Sequence, residues 1–166
     1  MNKDTLLDQV HRNWRVLQHA PRALREDRDL WLEALGQDVQ AFEQSPAAIR
    51  SDREATLSVV RRDGRLLQHA SADLRDDSEV VLAAVQQDPE ALLFAGPGPR
   101  RDHNVVLEAV RLDAQAFHYA DEALRADHRF VSEAIGQNPN ALEYAARWRV
   151  SSVSQLPKSS DSFVWS

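Results

Sequence analysis

The sequence predicts an all-α chain, a right-handed-type α-solenoid of about six 25-residue helical repeats, the hand itself resting on no particular residue. Three observations predict it. An Arg-x-Asp signature returns at a constant offset: Arg25/Asp27, Arg50/Asp52, Arg75/Asp77, Arg100/Asp102 and Arg125/Asp127. Apolar columns with helical spacing recur at the same 25-residue offset, and a capping residue recurs between them. A fixed period of this size means one small unit copied and stacked, so the core forms between neighbours and not within a unit.

The first element of each unit is a helix of about ten residues. It carries Leu7, Leu32, Leu57, Leu82 and Leu107, with Ser132 in the sixth copy, and three residues later Val10, Leu35, Val60, Val85, Val110 and Ile135. Leu6, Trp31, Thr56, Val81, Val106 and Val131 precede them, and the small column Ala34, Ala84, Ala109, Ala134 permits a close neighbour. Asp27, Asp52, Asp77, Asp102 and Asp127 cap this helix, where open amides and the helix dipole favour a carboxylate by about 0.5–2 kcal/mol. The arginine two residues earlier complements the preceding helix end or bridges to the adjacent unit.

The second element is a helix of roughly two turns, with Leu17, Phe42, Leu67, Leu92, Phe117 and Leu142 as its apolar column. Asp38, Asp63, Asp88, Asp113 and Asn138 cap it, and Pro89 and Pro139 follow at the first helical position, where a missing N–H costs nothing. Pro21 and Pro46 mark a restart into a final short turn holding Leu24, Ile49, Leu74 and Leu124. The units fall near 2–26, 27–51, 52–76, 77–101, 102–126 and 127–149, a repeat domain over 1–149. Residues 150–166 read as a Ser-rich flexible tail whose apolar end, Phe163-Val164-Trp165, folds back as a cap, stays loose or docks elsewhere.

The stretch Glu79-Val80-Val81-Leu82-Ala83-Ala84-Val85 with Asp88 carries a further signal. So does Asn104-Val105-Val106-Leu107-Glu108-Ala109-Val110, leading to Phe117-His118-Tyr119-Ala120 and Leu124-Arg125-Ala126-Asp127. These residues resemble the bacterial and protist repeat family catalogued as domain of unknown function 4116, over roughly residues 4–148. The resemblance implies a helical repeat fold, found as modules of larger proteins that include bacterial effectors, and no established activity.

Function is sought where the copies differ. The family's tyrosine column reads here as His19, Gln44, His69, Phe94, Tyr119 and Tyr144, either amphipathic side chains at the core edge or a recognition row. Gly96, Pro97, Gly98 and Pro99 replace a last helical turn in the fourth copy, which predicts an irregular loop, either a binding loop or a drifted repeat. Trp14 and the region of Trp148 flank the array as end seals.

The chain has no cysteine, which excludes disulfides, thiolate metal sites and cysteine nucleophiles. Its net charge of −6 disfavours nucleic acid as a partner. The charge is uneven: residues 1–26 are net positive, 27–51 and 102–126 acidic, and 52–76 balanced around Arg61, Arg62 and Arg65. His11, His19, His69, His103, His118 and His128 lie in several columns, and no metal, cofactor or catalytic motif unites them. No apolar run spans a bilayer and the first twenty residues form no signal peptide, so the expected location is the cytoplasm of the producing cell, or a host cell for an effector. The expected role is a noncatalytic protein-binding module. Alternatives are an acidic immunity-type partner of a bacterial toxin, or an enzyme with a site in a groove.

Overall fold

A computed structural model of the chain describes residues 2–154, with side chains through Trp148. Among the described residues every regular element is helical. Six longer helices recur: Lys3–Val10, Arg28–Gln37, Arg53–Val60, Ser78–Gln87, His103–Leu112 and His128–Gln137. Behind the first five comes a 3-10 helix: Trp14–His19, Val39–Gln44, Gly64–His69, Pro89–Phe94 and Ala114–Tyr119. A short α-helical turn then follows: Arg22–Arg25, Ala47–Arg50, Ala72–Arg75, Pro97–Arg101 and Glu122–Ala126. The long helices pack side by side in chain order as one row, and the 3-10 helices pack against them and one another as a second.

The caps explain this rhythm. Asp27 accepts from the N–H groups of Asp29 and Leu30, and Asp77, Asp102 and Asp127 do the same one period after another, while Asp52 accepts from Ala55. Asp38, Asp63, Asp88 and Asp113 each accept from the amide two residues on, which opens the 3-10 helix. Only six residues separate that cap from the next break, and i to i+3 bonding closes such a short segment sooner than an α ladder.

The core is continuous along the row of long helices. The four inner ones each bury a four-column face, as in Leu30, Trp31, Ala34 and Leu35, or Val105, Val106, Ala109 and Val110, while Lys3–Val10 buries Leu6 and Val10 and His128–Gln137 buries Phe130, Val131 and Ala134. The column Leu30, Ala55, Val80, Val105 and Phe130 is thus fully inside. The Leu7, Leu32, Leu57, Leu82 and Leu107 column, expected to lead the stripe, is half-buried on its flank. Runs such as Val80-Val81-Leu82 cover a wide arc of helix surface, and the small residues at Ala84 and Ala109 turn the earlier members inward.

Two expectations are corrected. Gly96-Pro97-Gly98-Pro99 is no irregular loop: Gly96 is the N-cap of the helix Pro97–Arg101, and Pro99 is buried in the place of the leucine column. Amides in the first turn of a helix have no intrahelical partner, so both prolines sit where none is lost. The break expected at residue 150 is also absent, because a single helix runs Ala141–Ser154. At the position where other cycles carry Pro21, Pro46, Ser71, Gly96 or Asp121, this one has Ala146, which neither stops nor caps a helix. The Phe163-Val164-Trp165 end lies outside the described residues.

Candidate functional site

Two faces of the stack differ in how their cations are used. On the long-helix face, Lys3 pairs with Asp27 and Asp29, at 2.9 and 2.7 Å. Arg28 reaches Asp52 and Glu54 at 2.5 and 2.7 Å, and Arg53 reaches Asp77, at 3.0 Å, and Glu79. Each cation thus holds the cap of the following cycle. Arg65 does the same for the second helix, reaching Asp88 and Glu90 at 2.8 and 2.9 Å. The hydrogen bond from Arg28 holds the Asp52 carboxyl below the usual aspartate range, against the opposing effect of its partial burial. This ladder is missing from the sequence reading, although Lys3, Arg28 and Arg53 stand in one 25-residue column and were legible there.

On the face of the short helices, Arg25, Arg50, Arg75, Arg100 and Arg125 make no ion pair among the described residues. The Nε groups of Arg50, Arg75 and Arg125 are buried without a hydrogen-bond partner, while that of Arg100 donates to the Tyr119 carbonyl at 2.6 Å. Arg125 lies 5.6 Å from the ring centre of Trp148, and burial lowers its pKa. Of the Arg-x-Asp pairs, the aspartates are therefore caps, and the arginines face the joints between cycles.

Two of those joints form grooves. At the first, Leu17, Gln18, Arg22, Arg25, Glu26, Trp31, Gln44 and Pro46 enclose about 610 Å³. Two periods on, Ala72, Asp73, Arg75, Asp76, Phe94, Ala95, Gly96 and Pro97 enclose about 340 Å³. The two joints also differ in a backbone contact. The carbonyls of Arg50, Arg75 and Arg100 accept from the N–H groups of Ser71, Gly96 and Asp121 in the next cycle, at 2.9, 2.7 and 2.8 Å. Pro46 has no N–H to offer Arg25, and the Trp31 indole donates to that carbonyl instead, at 2.6 Å. The first joint is left open, and the first 3-10 helix touches the second more sparingly than later neighbours touch each other.

The row His19, Gln44, His69, Phe94, Tyr119, Tyr144 borders this face. The first five end their 3-10 helices and Tyr144 lies in the last helix; His19 and Gln44 are exposed and the others half-buried. Gln44 lines the first groove, and Phe94 meets Gly96 and Pro97 in the third, which joins one row residue to the Gly-Pro segment. His118 packs edge-on to Tyr144 with ring centres 5.1 Å apart. Asp76 closes the third groove from within, accepting from the Gly98 N–H at 2.8 Å, and a side chain on Gly96 would run into that carboxylate.

Other polar groups are dispersed. His11 and His103 pair with Glu33 and Glu133 on the long-helix side. No group of three or more metal-ligating side chains converges among the described residues. No helix among them is long and apolar enough to cross a membrane.

A family model described as a domain of unknown function (DUF4116) matches residues 52–98 and 102–147 as tandem segments. Each holds nearly two of the 25-residue cycles, and their starts stand two periods apart. No curated protein and no solved structure matches. Two tandem matches spanning more than half its residues, laid over the recurring helix, 3-10 helix and short turn, place the chain in the DUF4116 family.

Proposed function

We propose that the chain is a noncatalytic α-solenoid of six 25-residue units that binds another protein through the face carrying the joint grooves and the row from His19 to Tyr144. The observation that carries this reading is the contrast between its cations. Lys3, Arg28, Arg53 and Arg65 are consumed by carboxylates of the neighbouring cycle, whereas Arg25, Arg50, Arg75 and Arg100 border the joints without an ion pair among the described residues. Arginines and aromatic residues beside apolar recesses are the residues from which protein interfaces draw most of their energy. Lys3, Arg28 and Arg53 hold caps of the next cycle on the long-helix face, and on the joint face Arg101 does the same for Asp121 at 3.0 Å, so the contrast rests on the Arg25 to Arg100 column.

The test is site-specific photocrosslinking in a lysate of the producing organism. A benzophenone side chain at Gln44 or His69 is expected to trap a stoichiometric protein, and one at Arg61 or Gln86 on the opposite face to trap none. Crosslinks confined to the opposite face, or recovery of nucleic acid from the row, would overturn the reading.

A further inference from the structure

Resting on that binding-face reading, we propose that the groove at the first joint takes an extended peptide segment bearing a Glu or Asp side chain next to an apolar one. The floor of this groove is apolar, formed by Leu17, Trp31 and Pro46, and its walls carry the amides of Gln18 and Gln44. These two amides hydrogen-bond to each other across the joint. Arg22 is tied to Glu26 at 3.0 Å, which leaves Arg25 as the groove cation without a carboxylate among the described residues.

Each feature selects part of the ligand. A guanidinium beside an apolar floor favours a carboxylate carried on an apolar stretch, since the planar donor fork fits two carboxylate oxygens. The glutamine amides offer donors and acceptors to a passing backbone. Charge agrees, because the groove lining carries Arg22 and Arg25 against Glu26 alone. The third groove, by contrast, is smaller and brings Asp73 and Asp76 beside Arg75, which repels a carboxylate.

The preference for the first joint traces to one atom. Ser71, Gly96 and Asp121 each supply the N–H that draws two cycles together, and Pro46 does not. The space left is the site.

The test titrates the full chain with acetyl-Ala-Leu-Glu-Leu-Ala-amide and follows the Trp31 indole N–H, assigned from Trp31→Phe, by NMR. A saturable shift is expected, weakened about tenfold or more when Gln replaces the peptide's Glu. Arg25→Gln should weaken binding by the same factor with the spectrum still dispersed, and Arg61→Gln on the opposite face should leave it unchanged. Pro46→Ser, which restores the missing donor, should weaken it severalfold. Equal binding of the Gln peptide, of a Gln peptide ending in a free carboxylate, or of inorganic phosphate would overturn the inference, as would indifference to Arg25→Gln. If Gln44 still crosslinks a protein while the Glu peptide leaves Trp31 unmoved, this inference falls and the face reading stands. Crosslinks from the opposite face sink the face reading whatever the peptide does.

Discussion

The first and third joints occupy the same place in the period, two repeats apart, and close by opposite means. At the third, backbone meets backbone: the Gly96 N–H reaches the Arg75 carbonyl, and Gly64 lies so close to the Ala84 carbonyl that any Cβ there would collide with it. At the first, side chains do the filling. Trp14 stands in the column of Gly64 and donates to Asp38 at 2.9 Å, and Trp31 donates to Arg25 in place of an absent amide. A repeat thus tolerates two kinds of joint, a tight one made by small residues and a filled one made by indoles. The filled one leaves room at its rim.

The comparison is broken most severely by Trp14→Ala. Trp14 is 4% exposed, so truncation leaves a cavity at the filled joint and should cost about 3–5 kcal/mol in urea unfolding. A loss under about 1 kcal/mol would mean that the joint is not held by its indole. Next comes Gly64→Ala at the tight joint, expected to cost about 1–3 kcal/mol because a backbone carbonyl cannot step aside as a side chain can. Pro89 and Ala114 hold the same column elsewhere, so the penalty belongs to this joint and not to the column.

The sequence made the caps and the cycle legible because both rest on local chemistry that repeats. Asp27 and its four equivalents, and Asp38 and its equivalents, do in space what their spacing predicts. The Gly96-Pro99 stretch is a helix despite its composition because glycine and proline break helices by position and not by type: in a first turn they break nothing. The continuous last helix was visible as Ala146 in a column of Pro, Ser, Gly and Asp, but only once that column's role as a stop was known. The grooves themselves were not legible. Their size goes with whether one amide can meet a carbonyl of the preceding cycle, a tertiary event that reads in one dimension only as Pro46, a restart like Pro21.

Smaller effects sharpen the same contrast. Thr56 stands between the two joints in the column of Trp31 and Val81, wholly buried, and its hydroxyl has no partner. Thr56→Val should therefore stabilise the chain by about 1 kcal/mol in thermal or urea unfolding, and a destabilised variant would mean that the hydroxyl is satisfied after all. Smallest is the pH dependence of the long-helix ladder. The folded pKa of Asp52 is depressed, so its contribution is present above the unfolded aspartate pKa and fades as the pH falls through the folded value. Urea unfolding between pH 7 and pH 3 should show a shallower acid loss in Arg28→Gln than in the unaltered chain. Parallel curves would rule out this pair as a source of acid sensitivity.

The amides of Ser71, Gly96 and Asp121 do more than narrow grooves. Each couples the opening of one cycle to that of the next, so these cycles should melt as one cooperative block, while Pro46 marks a boundary across which that coupling is weaker. Hydrogen exchange then becomes a map of the joints: amides of Lys3–Val10 should exchange through a separate, lower-energy opening than those of Ser78–Gln87. One imino acid would divide a repetitive chain into two foldons.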